Sequence, residues 1–190
     1  MNFPRILKKR KGYIDRIKPF MQKSVAKVLT GQRRVGKSFL LYQLIEEILG
    51  EEPDANIIYI NLEDFAFSSL QTAEDLHSYI ISHSKEKVKN YIFIDEIQDI
   101  PGFEKVIRSL LLNEDNDIYI TGSNAKMLSG ELATYLSGRY IEFKIYSLSY
   151  SEFLEFHGLT ESETSYELYS RYGGLPYLLN LPLEDETVNE

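Results

Sequence analysis

The sequence predicts an α/β protein with a parallel sheet, and three observations support this class. Five short runs rich in β-branched and aromatic residues alternate with segments in which apolar residues recur at helical spacing. Two of the runs, Ile57–Ile60 and Tyr91–Ile94, are continuously apolar, as expected of strands that helices cover on both faces. The chain of 190 residues, 43% hydrophobic, is long enough for one sizeable domain of this kind.

The predicted strands occur at regular intervals along the first three quarters of the chain. In order they are Val25–Thr30, Ile57–Leu62, Tyr91–Asp95, Ile118–Thr121 and Tyr140–Ile145. A helix is predicted after the first strand because apolar residues recur there at helical spacing, at Phe39, Leu40, Leu44, Ile45, Ile48 and Leu49.

Three later helices are predicted from their start signals. Pro101 is placed to open a helix, because proline fits the first helical position. Ser149-x-x-Glu152 and Thr160-x-x-Glu163 both have the spacing of a capping box, in which the two side chains bond each other's backbone N–H. We therefore expect short helices, rather than further strands, near the C-terminal end.

Composition excludes several classes of function. The chain has no cysteine, which rules out disulfides and thiolate chemistry and fits a cytoplasmic protein. No stretch approaches the ~18 apolar residues of a membrane span, so no membrane partner is expected. The net charge of −8 argues against a protein that mainly binds nucleic acid. One basic run, Lys8–Lys11, leaves local nucleic-acid contact open beside the alternative of a solvated segment.

The strongest motif is Gly31-x-x-x-x-Gly36-Lys37-Ser38, between a predicted strand and a predicted helix. Glycines let consecutive backbone N–H groups point at phosphates, and the helix N-terminus adds a partial positive charge. Lys37 would reach the β- and γ-phosphates, while the Ser38 hydroxyl would be a Mg²⁺ ligand. The residues predicted to bind the triphosphate are Gly31, Gln32, Arg33, Arg34, Val35, Gly36, Lys37, Ser38 and Phe39. Arg33 and Arg34 could contact phosphate, a partner or solvent.

An acidic pair follows the third predicted strand. Asp95 and Glu96 come directly after an apolar run, at the carboxyl end where open α/β sheets bind ligands. Asp95 can hold Mg²⁺ through its water shell, and Glu96 can activate the water that attacks the γ-phosphate. The plainer alternative is an ordinary acidic strand-to-loop junction. A base aimed at water favours hydrolysis over a small-molecule kinase.

Two further candidates lie near the fourth and fifth strands. Ser123 or Asn124, after Ile118–Thr121, could sense the γ-phosphate, although a polar turn or helix cap explains them too. Arg139, before Tyr140–Ile145, could stabilise phosphoryl transfer in its own subunit or across an interface. Its plainer alternative is an ion pair with Glu142 or Glu131.

Together, "GQRRVGKS", "IFIDEIQ", "ITGSN" and "SGRYIEF" resemble the AAA-type P-loop ATPases. More narrowly they are similar to a prokaryotic group of ATP-binding proteins that usually carry a C-terminal domain of unknown function. The resemblance implies an ASCE-type parallel five-stranded sheet flanked by helices, in the order 5-1-4-3-2. It makes Lys37 and Ser38 the Walker A pair, Asp95 and Glu96 the Walker B pair, and Asn124 or Ser123 the first sensor.

The resemblance implies further roles. Arg139 matches the arginine-finger position. Tyr172-Gly173-Gly174-Leu175-Pro176 is similar to the Gly-x-Pro motif of related signal-transduction ATPases, which makes Leu175 and Pro176 candidate contacts for the adenine base. From the residues alone, the same stretch indicates only a helix stop followed by a helix start.

We expect three parts: a P-loop ATPase core over 1–147, a short helical segment over 148–183, and an acidic tail over 184–190 where the chain is truncated or frays. The expected cofactors are ATP and Mg²⁺. The expected activity is ATP hydrolysis that drives a conformational change in a protein partner or a missing C-terminal domain, with homo-oligomer formation open. The alternative is a nucleotide-gated binding module, for instance for nucleic acid, with little turnover alone.

Overall fold

A computed structural model describes residues 8–123 and 135–180 of the chain. Its five strands form one parallel sheet in the spatial order β2-β3-β4-β1-β5, which is the predicted order 5-1-4-3-2 counted from the other edge. The prediction of a P-loop type sheet is therefore confirmed, and its strand ends were right to within two residues. The strands are β1 (Ala26–Gly31), β2 (Asn56–Asn61), β3 (Asn90–Asp95), β4 (Asn116–Ser123) and β5 (Tyr140–Ile145).

Helices flank this sheet and follow it. Within the described residues, no helix is long and apolar enough to cross a membrane. The helices are α1 (Lys11–Ile17), α2 (Lys37–Glu51), α3 (Ala73–His83), α4 (Phe103–Leu110), α5 (Tyr150–His157) and α6 (Glu163–Tyr172). Short 3₁₀ turns lie at Lys18–Phe20, Phe65–Phe67, Ile97–Asp99 and Pro176–Asn180.

The sheet separates two apolar layers. On one face, side chains of α3 and α4 such as Leu76 and Ile107 pack on alternate residues of the central strands. On the other face, α1 and α2 pack on the remaining residues, among them Tyr91 and Phe93 of β3. Because β3 is covered on both sides, all six of its residues are buried, which explains its continuous apolar sequence.

The helix starts confirm one prediction and correct two. Ser149 and Glu152 form the predicted capping box of α5. The start predicted at Thr160 is wrong, because α6 begins at Glu163 and its first turn is capped by the Ser162 side chain. Pro101 does not open α4, which begins two residues later.

A third, smaller cluster lies in the helical segment after β5, here taken as residues 148–180. Leu148, Phe153 and Phe156 form its buried centre. The end of this segment returns to its beginning, because the Leu148 N–H donates to the Gly174 carbonyl at 2.6 Å. A Cβ at Gly174 would lie 2.2 Å from the Leu148 carbonyl oxygen, so only glycine permits this close return.

Candidate functional site

A cavity of about 700 Å³ opens at the carboxyl ends of the central strands. This is the edge where the loops that follow parallel strands meet and where α/β sheets bind ligands. Residues of the phosphate loop and Glu96 line it together with residues of the N-terminal and helical segments. The lining residues are Lys8, Arg10, Arg33, Arg34, Gly36, Lys37, Ser38, Phe39, Gln43, Glu63, Glu96, Phe156, Pro176, Tyr177 and Leu179.

The phosphate loop takes its shape from its two glycines. A Cβ at Gly31 would lie 2.3 Å from the Ile145 carbonyl oxygen, so β5 packs directly against the loop's first residue. Gly36 has φ of +93° and precedes α2, a conformation that side chains rarely adopt. The 15-residue helix α2 then starts at Lys37 with its N-terminus at the cavity. The turn from strand to helix is therefore the one the motif predicts.

Lys37 is buried, with 4% of its side chain exposed, and its ammonium group has three oxygen partners. It donates to the carbonyl oxygens of Gly31 at 3.3 Å and Gln32 at 3.1 Å. Its Nζ also lies 3.3 Å from Oε1 of Glu96. The two residues predicted to act on the triphosphate thus form an ion pair inside the site.

The acidic pair is held by Thr121 of β4. The Thr121 hydroxyl donates to Oδ1 of Asp95 and accepts the backbone N–H of Glu96 at 3.0 Å. Glu96 has φ of +57°, a left-handed conformation that turns the chain away from β3 directly after Asp95. Gln98 donates to the other carboxylate oxygen of Glu96, Oε2, at 2.6 Å. Sequence reasoning missed Thr121, because its partners lie on a neighbouring strand.

Asp95 is buried, and burial raises the pKa of its carboxyl group. Hydrogen bonds from Ser38 and Thr121 oppose this rise, and the nearby charge of Glu96 adds to it. On its other side the Tyr59 hydroxyl lies 3.4 Å from Oδ2. The charge of the nearby Lys37 also opposes the rise in the pKa of Asp95.

The contact between Ser38 and Asp95 fits a magnesium site. It places a hydroxyl and a carboxylate together beside the phosphate loop. In the part of the chain that the structure describes, no group of three or more His, Asp or Glu side chains could hold a metal. Mg²⁺ keeps several waters and takes phosphate oxygens as ligands, so these two residues suit a metal that arrives with the nucleotide.

The other predicted site residues are placed as follows. Arg33, Arg34 and Phe39 line the cavity, and Phe39 is 47% exposed rather than part of the predicted apolar face of α2. Val35 is buried below the loop. Of the two predicted base contacts, Pro176 lines the cavity, whereas Leu175 is not among the lining residues.

Ser123, one of the two sensor candidates, is the last residue of β4. Ser123 pairs in register with Gly31, so β4 does bring it beside the start of the phosphate loop. Asn124 lies outside the described residues. The assignment of a sensing role to either residue stays a prediction.

Arg139 lies at the opposite end of the sheet from the cavity. Its carbonyl oxygen accepts the N–H of Ala26, the first residue of β1, at 2.9 Å. Gly31 lies five residues further along β1, about 17 Å away at ~3.3 Å per residue. The phosphate loop of the same chain is therefore beyond the reach of the Arg139 side chain. The ion pair considered with Glu142 is also not formed, since Glu142 accepts the Thr30 hydroxyl at 2.6 Å; Glu131 lies outside the described residues.

The side chains of the basic run Lys8–Lys11 form hydrogen bonds or ion pairs with other residues of the chain. Lys8 donates to the Glu155 carbonyl oxygen. Lys9 pairs with Glu47 at 2.7 Å, and Lys11 pairs with Asp15 at 2.6 Å within α1. Arg10 is buried, whereas the side chains of Lys9 and Lys11 are 49% and 81% exposed, so the interpretation of the run as a solvated segment is wrong for Arg10. Sequence reasoning also missed the cavity residues Gln43, Glu63, Phe156, Tyr177 and Leu179, for which only the capping box before Phe156 gave a local signal.

Residues 23–154, more than half of the chain, match the AAA domain family. The chain belongs to this family. The AAA domain matched here contains the phosphate loop, the acidic pair and all five strands, so the predicted relationship to AAA-type P-loop ATPases is confirmed.

Two relatives of this AAA domain are longer proteins. An uncharacterized protein of Haemophilus influenzae is 40% identical over 190 residues, which cover 95% of this chain and 46% of that protein. An uncharacterized protein of Methanocaldococcus jannaschii is 38% identical over 131 residues, which cover 68% of this chain and 28% of that protein. The chain spans less than half the length of either relative.

Solved structures share the fold at low sequence identity. The Hsp104:casein complex of S. cerevisiae matches with a TM-score of 0.61 and 15% identity, over 91% of this chain and 36% of that chain. Domain III of Thermotoga maritima DnaA matches with a TM-score of 0.58 and 13% identity, over 92% of this chain and 82% of that chain. AMPPCP-bound DnaA of Aquifex aeolicus matches with a TM-score of 0.55 and 14% identity, over 94% of this chain and 61% of that chain.

Proposed function

We propose that this AAA domain binds ATP with Mg²⁺ and hydrolyses the bond between the β- and γ-phosphates. The observation that carries the proposal is the meeting of Lys37, Glu96 and Asp95 beside the phosphate loop: Lys37 and Glu96 form an ion pair in the cavity wall, and Asp95 contacts Ser38. A cation for phosphate, a carboxylate beside a hydroxyl for the metal and a second carboxylate for water are the groups that phosphoryl transfer to water needs. The match to the AAA domain family supports ATP as the triphosphate.

Lys37 and Glu96 have linked roles in this proposal. The Lys37 ammonium now lies among carbonyl oxygens and the Glu96 carboxylate, a position that a phosphate oxygen would compete for. When Lys37 turns to the β- and γ-phosphates, one oxygen of Glu96 loses its cation and becomes a stronger acceptor for the proton of the attacking water. Gln98 keeps hold of the other oxygen and fixes the direction of the carboxylate.

The magnesium ion, when bound, would neutralise charge on the phosphates. Ser38 would supply a hydroxyl ligand, and Asp95 would accept hydrogen bonds from water of the metal's shell. Thr121 and Tyr59 orient the Asp95 carboxylate from two sides, through its Oδ1 and Oδ2 oxygens respectively. Ser123 or Asn124 would report the γ-phosphate from the end of β4.

The nucleoside would lie against the apolar part of the cavity wall. This part is formed by Phe156, Pro176, Tyr177 and Leu179. Pro176 also reaches the phosphate loop, because its Cγ would lie 3.6 Å from a Cβ at Gly36. We propose these side chains as the base contacts, with Pro176 kept from the sequence prediction and Leu175, 37% exposed, no longer included.

Arg139 can serve hydrolysis only from a neighbouring copy of the chain. Its place at the amino end of the sheet keeps it from its own site and leaves it exposed on the surface. We therefore propose that an arginine-finger role would require a homo-oligomer. We propose that the conformational change driven by hydrolysis acts on a protein partner. In longer proteins like the two relatives, it would act on the region that this chain does not span.

The experiment incubates the chain with ATP and Mg²⁺ and identifies the products. ADP and inorganic phosphate in equal amounts, abolished by EDTA, are expected. A phosphorylated small-molecule acceptor without free phosphate would instead indicate a kinase. DNA binding that appears only with ATP and weakens steeply with salt would favour the binding module. Burial of Arg10 in its pair with Glu152 weakens that alternative, because it takes one cation of Lys8–Lys11 away from the surface.

A further inference from the structure

Arg10, just before α1, joins four separate segments of the chain through one side chain. Only 4% of the side chain is exposed. Its guanidinium donates to the carbonyl oxygens of Val35 at 3.1 Å, Tyr146 at 2.9 Å and Ser147 at 3.4 Å. It also pairs with both carboxylate oxygens of Glu152, each at 2.9 Å. The guanidinium therefore links the phosphate loop to the start of α5.

Glu152, at the other end of this link, has hydrogen bonds besides those from Arg10. Glu152 closes the capping box of α5, since its Oε2 accepts the Ser149 N–H at 2.9 Å. Burial alone would raise the pKa of Glu152, but hydrogen bonds from Arg10 and Ser149 outweigh it and lower the pKa. The carboxylate thus stays charged in a half-buried place, where a bidentate pair with arginine is strong.

The link bears on the cavity at both of its ends. Val35 lies inside the phosphate loop, next to Gly36, so the bond from Arg10 fixes the direction of a peptide unit whose neighbours are expected to face phosphate. Phe156 lies one helical turn after Glu152 and lines the cavity. The position of α5 therefore determines the position of Phe156 in the cavity wall.

We propose that Arg10 is a positioning residue that couples the phosphate loop to α5, so that nucleotide binding and the docking of the helical segment favour each other. The nucleotide part of this inference rests on the proposed function. A ligand that binds better when α5 is docked must, by linkage, also hold α5 in the docked position.

Two variants cut the link with little other change. Glu152→Gln removes the charge but keeps the capping box, which accepts glutamine at this position. Arg10→Lys keeps the charge but loses the fork that bonds two oxygens at once. Their controls make the same changes where the link is not involved: Glu155→Gln on the exposed face of α5, and Lys11→Arg at a side chain that is 81% exposed.

The test is hydrogen exchange of the nucleotide-free chain, followed by ATP titration of the same variants. We expect Glu152→Gln and Arg10→Lys to speed exchange of phosphate-loop and α5 amides about fivefold or more, and to raise the Kd for ATP by a similar factor. The control variants should stay within about twofold of wild type. Faster exchange in β3 and β4 as well would indicate general destabilisation and would overturn the proposal.

Three results separate this inference from the proposed function. Unchanged exchange of the phosphate loop in Glu152→Gln overturns the coupling, whether or not ATP binds. Faster exchange of the loop with an unchanged Kd overturns the nucleotide part of the coupling. Faster exchange in a chain whose wild type does not bind ATP supports the link through Arg10 and contradicts the proposed ATPase.

Discussion

Replacing Thr121 with valine removes the hydroxyl that joins Asp95 to Glu96. The substitution keeps the shape of a buried side chain but leaves the N–H of Glu96 without its acceptor and Asp95 without one of its donors. Both partners are buried, with Asp95 1% and Glu96 6% exposed, so water cannot readily replace the lost bonds. Thr121→Val is therefore expected to destabilise the fold and the site together.

The magnitude follows from the two bonds that are lost. A buried donor left unsatisfied costs about 1–3 kcal/mol, and a hydrogen bond to a charged group contributes about 1.5–3 kcal/mol. A loss of about 3 kcal/mol would lower the melting temperature by roughly 6–12 °C in a chain of this size. ATP turnover should fall as well, because the carboxylate proposed to bind the metal's water shell loses one of the side chains that orient it.

The pH dependence of this loss has a definite sign. The pKa of Asp95 is raised above its ordinary 3.8 by burial, and the Thr121 bond limits the rise. A carboxyl group with a raised folded pKa binds its proton more tightly in the folded state, so stability falls as pH rises from 3.8 towards that raised value. Thr121→Val raises the folded pKa further, so the variant's deficit in the free energy of unfolding should grow as the pH rises above 3.8 and should be larger at about pH 8 than at about pH 4.

The assay is urea unfolding at both pH values, with two controls. Thr121→Ser keeps the hydroxyl and should recover most of the stability. Thr30→Val makes the same chemical change on β1, where the partner Glu142 is only half-buried, and should cost about 1 kcal/mol. A Thr121→Val loss no larger than that of Thr30→Val, or one independent of pH, would refute the assignment of Thr121 as the residue that holds the acidic pair.

Two further predictions concern the frame around the site. Gly31→Ala places a Cβ 2.3 Å from a carbonyl oxygen of β5 and should destabilise the chain by at least ~2 kcal/mol and weaken ATP binding, whereas Gly12→Ala, with open space around it in α1, should be neutral or stabilising in thermal unfolding. Asp117→Asn leaves the fully buried Lys27 without its counter-charge and should lower the free energy of unfolding in urea by about 3–5 kcal/mol. Asp15→Asn breaks only an exposed pair and should lower it by less than ~0.5 kcal/mol. Equal losses for the two variants would contradict the importance of burial.

The features that sequence predicts well are those determined by neighbouring residues. The phosphate loop is local, since two glycines, a lysine and a serine at fixed spacing shape one turn between a strand and a helix. The position of Asp95 could be predicted because the apolar run of β3 stops just before it, which marks the carboxyl end of a buried strand. The strand order came from family resemblance, because periodicity does not say which strands lie side by side.

The features that sequence reasoning missed depend on pairing between distant segments. Thr121 faces Asp95 across 26 positions, and Arg10 meets Glu152 across 142. A basic run looks solvated until its partners are known. Arg139 precedes its strand, so in a parallel sheet it lies at the amino end, away from its own site, as the direction of β5 beside β1 shows.

ATP binding and phosphate release, measured on the same preparations of wild type, Lys37→Ala and Glu96→Gln, test the central claim most directly. Lys37→Ala should lose binding, while Glu96→Gln should bind ATP as wild type does and release phosphate at least ~100-fold more slowly. Lys23→Ala and Glu86→Gln, at exposed positions away from the cavity, control for the same changes. Lys37→Ala with wild-type affinity, or Glu96→Gln with wild-type turnover, would contradict the account.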